Sequence, residues 1–193
     1  MNINDIYVSL CKTPSDINEH LSKLKEIVEK YKHITEFGVR GAVSTWALLA
    51  GKPTTLISYD IGHIDTEYLS ALSKLENINF IFKQNNTCLI EIEETDVLFI
   101  DTLHTYKQLK TELTLHHNKV KHCIIMHDTF AYGTTDMINC YSVNGPYANI
   151  HDNVYGLQSA INEFLLEQPN WKKIYETNNN NGLVIIEKLN ENR

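Results

Sequence analysis

The chain of 193 residues carries 42% hydrophobic and 21% charged side chains and a formal charge of −7, the make-up of one ordinary globular domain with a single filled core. No apolar run reaches the roughly 18 residues that cross a bilayer, and Met1-Asn-Ile-Asn-Asp5 lacks the basic start and apolar block of a signal segment; both exclude a membrane role and predict a cytoplasmic protein. The acidic balance argues against general nucleic-acid binding, which uses basic stripes, and favours a small-molecule partner; it is compatible with a homo-oligomer.

Cys11, Cys88, Cys123 and Cys140 show no paired spacing, and Cys88 and Cys123 lie in apolar runs. They read as buried thiols in a reducing compartment rather than as a disulfide framework or zinc knuckle.

Residues 15–31 place Ile17, Leu21, Leu24, Ile27 or Val28, and Tyr31 on one face at helical spacing, with Ser15 or Asp16 as the cap. This amphipathic helix belongs to an N-terminal helical extension, residues 1–32, packed on a sheet. The sheet opens with Ile34 to Phe37. A glycine turn follows, Gly38-Val-Arg-Gly41, then a helix from Val43 to Ala50 that Gly51 and Pro53 stop. Glycine at such a reversal permits a positive φ and the close approach of a ligand. Ser44 and Thr45 add hydroxyls at a helix N-terminus, which attracts polar or anionic groups.

Two nucleotide-type readings compete for this turn. A dinucleotide fingerprint wants G-x-G-x-x-G with an acid about 20 residues further on. The pattern present, Glu36-x-Gly38, then Gly41, then Ser44-Thr45, resembles the first motif of class I S-adenosylmethionine-dependent methyltransferases.

Thr54 to Asp60 is continuously apolar enough for a central parallel strand. Asp60 at its carboxyl end either accepts hydrogen bonds from the hydroxyls of a ribose or caps the next loop. Residues Asp65 to Leu75 form a helix with Tyr68, Leu69, Leu72 and Leu75 turned inward. Ile78 to Phe82 is a third strand, and the polar turn Lys83 to Thr87 lies at the carboxyl edge, where an adenine ring can rest.

Asp96 to Asp101 is a fourth strand ending in a carboxylate, followed by Thr102-Leu-His-Thr-Tyr-Lys-Gln-Leu109 and a helix to about Asn118. Lys121 to Asp128 is a fifth strand ending in His127-Asp128. Asp101, His104, His127 and Asp128 thus share the edge that holds the glycine turn. Residues 129–153 lose periodicity and carry Tyr132, Tyr141 and Tyr147; a loop of this length reads as a lid over an acceptor site. Val154 to Gln168 is helical. Trp171 to Glu176 and Leu183 to Lys188 are strands joined through Asn181-Gly182, a hairpin signal. Alternating strands and helices imply right-handed parallel crossovers. The expected fold is α/β, a Rossmann-like doubly wound, mostly parallel sheet with a C-terminal antiparallel hairpin, in one domain over 1–193.

Phe99-Ile-Asp-Thr-Leu-His-Thr-Tyr106 resembles the F-I-D-G-D-H-S-Y motif of the family containing macrocin-type sugar O-methyltransferases and cephalosporin hydroxylase-like proteins, and Ile124-Ile-Met-His-Asp-Thr129 resembles its V-I-V-x-H-D-T ending. The resemblance spans roughly residues 33–188 and implies the class I methyltransferase fold. It also implies an S-adenosyl-L-methionine pocket: Glu36, Gly38, Gly41, Ser44 and Thr45 shape the methionine end, Asp60 holds the ribose, Asn86 and Thr87 lie near the adenine, and Asp101 closes the pocket.

Sugar-modifying members often bind a divalent cation through the acid after strand four and an acidic pair after strand five. Asp101 and Asp128 match, but His127 replaces one acid, and Leu103 stands where the family has its second Asp. A metal set of Asp101, His127 and Asp128 is implied for magnesium, or for manganese as a softer ion.

Methyl transfer needs acceptor, methyl and sulfur in line and one proton removed. His104 is the expected base, with Asp101 and Asp128 as the acceptor or metal clamp and His127 able to serve either role; the alternative for His104 is a local helix cap. The function implied is O-methylation of a small hydroxylated acceptor, a sugar first. A catalytically silent cofactor-binding module and a methyltransferase for a non-sugar acceptor are the alternatives.

Overall fold

The computed structural model describes residues 2–137 and 155–189. Seven strands run in chain order as β1 (His33–Phe37), β2 (Thr55–Asp60), β3 (Asn79–Gln84), β4 (Thr95–Ile100), β5 (Val120–His127), β6 (Trp171–Thr177) and β7 (Leu183–Lys188). Six helices accompany them: α1 (Ile3–Lys12), α2 (Leu21–Val28), α3 (Val43–Ala50), α4 (Glu67–Leu75), α5 (Tyr106–His116) and α6 (Leu157–Glu167). The strands form one sheet in the order β3-β2-β1-β4-β5-β7-β6. The first five pair in parallel, and β7 runs antiparallel to both β5 and β6.

Both faces of the sheet are covered, which is why its central strands read as unbroken apolar runs. Successive side chains alternate between two cores. Val97 and Phe99 of β4, with Cys123 and Ile125 of β5, pack under α1 to α4. Leu98 and Ile100, with Ile124 and Met126, pack under α5 and α6.

The N-terminal extension differs from expectation. The first helix, α1, lay unread in the sequence although Asn2 and Asp5 form a reciprocal capping box at its start, a pattern visible in Asn-x-x-Asp. The helix expected over 15–31 shrinks to α2, preceded by a 3-10 turn at Asn18–His20. Neither proposed cap serves: Asp16 instead pairs with Arg40 at 2.5 Å, and the Ser15 hydroxyl accepts the N–H of Ile17.

In α4, Leu69 and Leu72 turn inward, but Tyr68 and Leu75 are exposed. The helix after β4 starts at Tyr106, because Thr105 caps it by accepting the N–H of Gln108. His104 therefore stands on a loop above β4 and is not itself the helix cap. Of the expected lid, residues 129–137 are irregular chain and residues 138–154 lie outside the described residues.

Candidate active site

Five strand ends build the site. Gly38 follows β1 at φ +86, and a Cβ there would meet the carbonyl oxygen of Asp101 at 1.9 Å. Only glycine lets the turn after β1 lie against the chain leaving β4. Gly41 is different: its φ is not in the left-handed region, and a Cβ there would meet nothing within 4 Å. The protein's own packing leaves this position unfilled. Besides Gly38, the left-handed positions of the turn are Arg40 and Ala42, at φ +42 and +59, so of the two glycines expected to supply a positive φ only Gly38 does.

Glu36 is fully buried beneath the turn. Its carboxylate accepts the hydroxyls of Ser44 at 2.7 Å, Thr45 at 2.9 Å and Ser58 at 2.6 Å. Burial outweighs these three donors and pushes Glu36 up to about 7. Ser44 and Thr45 were expected to face a ligand; the structure turns their hydroxyls inward, so Glu36 shapes the turn from below.

Asp60 closes the turn from the side. Its Oδ2 accepts the N–H groups of Val39 and Arg40 at 2.8 and 3.0 Å, and its Oδ1 accepts that of Gly62 at 2.8 Å. A carboxylate offers about four acceptor positions, so a free one remains on Oδ1. The next residue, Ile61, is 73% exposed. A large apolar side chain in that place beside a polar pocket was missed in the sequence; its position directly after Asp60 was the available signal.

At the end of β3, the Asn86 side chain accepts the N–H of Cys88. Thr87 is buried, and its hydroxyl donates to Glu112 at 2.5 Å. Glu112 also receives Thr102 at 2.8 Å and the Gln108 amide at 2.7 Å, and burial pushes it up to about 7. Thr87, expected near the adenine, is thus spent on an internal network that joins β3 to α5. The signal for this network, an acid on the inner face of α5, was legible but unread.

The charged centre lies past β4 and β5. His104 Nε2 is 3.2 Å from Asp101 Oδ1 and 2.8 Å from Asp128 Oδ2. His127 Nδ1 is 3.4 Å from Asp101 Oδ2 and 3.5 Å from Asp128 Oδ2, within ion-pair reach but without a hydrogen bond. The other ring nitrogen of His127 contacts the carbonyl of Asn180 at 3.1 Å. Asp128 sits at φ +59, a conformation that costs a non-glycine residue of order 1–3 kcal/mol and tends to mark a functional site.

Burial alone would lower both histidines. The hydrogen bonds of His104, and the attraction of both rings to Asp101 and Asp128, win, pushing His104 up to about 9 and His127 up to about 10. The same contacts overcome burial in the two carboxylates and hold both below the usual aspartate range.

The segment from Thr129 leads over this centre. The Tyr132 ring stacks on His104 with centroids 4.8 Å apart, and the Met137 N–H donates to the His104 carbonyl. From the other side, residues 15–20 reach across the edge. The His20 ring packs edge-on against His127 at 5.5 Å, and its Nε2 contacts the carbonyls of Asn179 and Asn180. Neither His20 nor Asn180 was singled out in the sequence.

Strand order, paired buried faces and a glycine turn meeting a carboxylate-rich edge together define a class I methyltransferase fold. Solved structures that it matches are described as methyltransferases. One is assigned as a caffeoyl-CoA O-methyltransferase from Staphylococcus aureus, at 17% identity over 97% of this chain and 92% of that one, with TM-score 0.62. A second is an O-methyltransferase from Bacillus cereus in complex with S-adenosylhomocysteine, at 13% identity over 96% and 88%, with TM-score 0.62. A third is the N-terminal domain of EvdMO1 with S-adenosylhomocysteine bound, at 13% identity over 91% and 84%, with TM-score 0.53. No family model and no curated protein matches the chain.

Proposed function

We propose that this protein is an S-adenosylmethionine-dependent O-methyltransferase acting on a hydroxyl of a small acceptor, with a sugar as the leading class. One observation carries the reading: Gly38 packs against the Asp101 backbone, so the turn suited to the cofactor and the cluster suited to proton removal share one wall. Methyl donor and proton acceptor then face the same volume, as in-line transfer requires.

In this reading the backbone at Gly41 approaches the methionine end of the cofactor, Asp60 Oδ1 takes a ribose hydroxyl, and Ile61 with Asn86 borders the adenine. His104 takes the acceptor proton through Nε2, and Asp101 and Asp128 orient its ring and stabilise the charge it gains. Tyr132, in the stretch read as a lid, stacks on His104 and borders the acceptor side. The sugar assignment rests on the resemblance of the motifs around Asp101 and Asp128. Among similar folds, the N-terminal domain of EvdMO1 has also been obtained in the presence of S-adenosylhomocysteine and D-fucose.

The resemblance also implies a cation, and the donor chemistry decides which kind suits. Magnesium takes oxygen ligands in near-ideal octahedral geometry and keeps several waters. Here two imidazole nitrogens face the two carboxylates at 2.8 to 3.5 Å. That set does not fit magnesium, and no step above uses one.

Calorimetric titration with S-adenosylhomocysteine, followed by incubation with S-adenosylmethionine and a panel of sugars and phenols, tests the reading. Micromolar cofactor binding and a methylated hydroxyl product are expected. Binding without a product on any acceptor would favour a silent binding module, and no binding would reduce the likeness to a shared fold.

A further inference from the structure

We propose that Asp101, His104, His127 and Asp128 form a site for a zinc-class transition-metal ion, and that an ion bound there occupies His104 Nε2 and holds the methyl-transfer base out of use. The first half stands on the cluster alone; the second rests on the function proposed above.

Three features carry the site. The first is spacing. Tetrahedral bonds of about 2.0–2.1 Å place neighbouring ligand atoms about 3.3 Å apart. The four nitrogen-to-oxygen separations across the cluster are 2.8, 3.2, 3.4 and 3.5 Å, so small shifts would gather the groups around one ion. Asp101, His104 and Asp128 each offer an atom within 4.8 Å of the others', and His127 faces the same two carboxylates from β5.

The second feature is a set of buried atoms with nothing bonded to them. His127 is 2% exposed and Asp128 3% exposed, yet His127 Nδ1 and Asp128 Oδ1 have no hydrogen-bond partner. Polar atoms at such depth are nearly always satisfied. A cation shared with the carboxylates gives the His127 nitrogen its partner.

The third is the outer support. A metal-bound histidine commonly donates its second N–H to a carbonyl, which fixes the ring and its tautomer. His127 Nε2 meets the Asn180 carbonyl at 3.1 Å, so Nδ1, which faces the two carboxylates, is the nitrogen at which an ion would replace the proton. Imidazole with carboxylate suits zinc, iron, cobalt or nickel better than magnesium, and affinity should rise from manganese through cobalt and nickel. Because Nε2 is the His104 atom that faces both Asp101 and Asp128, ligation and proton acceptance exclude each other at that atom.

The test is a cobalt(II) titration of the chelator-stripped protein, read by visible absorption. One cobalt per chain with the intense bands of a tetrahedral site is expected, displaced by zinc and untouched by millimolar magnesium. His127→Ala and His104→Ala should each weaken cobalt binding by 10- to 100-fold, in samples whose melting curves show folded protein. A pale octahedral spectrum, equal competition by magnesium, or unchanged affinity in both variants would overturn the site. Nitrogen-15 imidazole spectra with zinc supply the second arm: shifts at His127 and His104 are expected, and an unshifted His104 would overturn the claim that the base is taken. S-adenosylhomocysteine binding is measured on the same samples. Cofactor binding without cobalt binding sinks the metal site and leaves the methyltransferase reading standing; cobalt binding without cofactor binding does the reverse and removes the inhibitory role.

Discussion

Asp60 Oδ2 accepts the backbone N–H of Val39 at 2.8 Å, so the acid ending β2 secures the glycine turn of β1 whether or not a nucleoside is present. Val39 and Asp60 explain why an acid in that place reads equally well as a ribose ligand and as a loop cap. The structure gives it the second role outright and leaves room for the first.

Replacing Asp60 separates the roles. Asp60→Ala strips three backbone donors of their acceptor and should cost about 1–3 kcal/mol in urea denaturation. Asp60→Asn keeps one acceptor oxygen and should lose less stability, yet still lose roughly tenfold in S-adenosylhomocysteine affinity if a ribose hydroxyl uses Oδ1. Unchanged cofactor affinity in both variants would make Asp60 a staple only.

The two glycines of the turn make opposite predictions. Gly38→Ala drives a Cβ into the Asp101 carbonyl at a left-handed φ and should lower the melting temperature markedly. Gly41→Ala meets nothing within 4 Å and should melt like the parent while binding the cofactor more weakly. Equal cofactor affinity in Gly41→Ala would remove the close approach proposed for that residue.

Stability should fall as pH rises from about 5 to about 6.5. Glu36 and Glu112 are both raised to about 7 in the folded chain, so the native state holds protons that the unfolded chain has released. Their contribution is full below the ordinary glutamate value of 4.5 and is lost as pH rises through about 7. Burial lowers His20 and His116, so they release protons earlier in the folded chain and oppose part of this fall. Glu36→Gln should remove about half of the change in urea midpoint, and a flat parent profile would contradict the assignment.

His104 carries the sign of the activity profile. Raised to about 9 by Asp101 and Asp128, it holds its proton at neutral pH, and only the deprotonated ring accepts one. Methylation rate should therefore climb about tenfold per pH unit from neutrality and level off near pH 9. His104→Ala should abolish that limb and most turnover while leaving S-adenosylhomocysteine affinity within about twofold. Parallel loss of both would make His104 structural.

Much of this was legible before any coordinates. Unbroken apolar runs gave the central strands, because both sheet faces are covered; Val43–Ala50 and Leu183–Lys188 fall where glycine, proline and an Asn-Gly step delimit them. The edge cluster was legible too, since acids and histidines follow two strands directly. Hydroxyl orientation was not. Ser44, Thr45 and Thr87 look like ligand contacts in the sequence, but buried Glu36 and Glu112 claim them. Such pairings join residues 8 to 25 positions apart, and no local pattern announces them. His20 was hidden for the same reason, its partners lying 159 and 160 residues away.

The Asn180 side chain accepts the Glu19 N–H and donates to the Ser15 carbonyl, across 161 and 165 residues of chain. During synthesis the strap around Ser15 and Glu19 emerges well before Asn180 and must wait for the chain between them to be made. Contacts of such separation form late, because loop closure is costly before neighbouring structure rewards it. The sheet's parallel half can assemble while the chain is still growing. The pocket around His127 then gains its roof only when residue 180 arrives, so a nascent chain would display the fold well before it could hold a ligand.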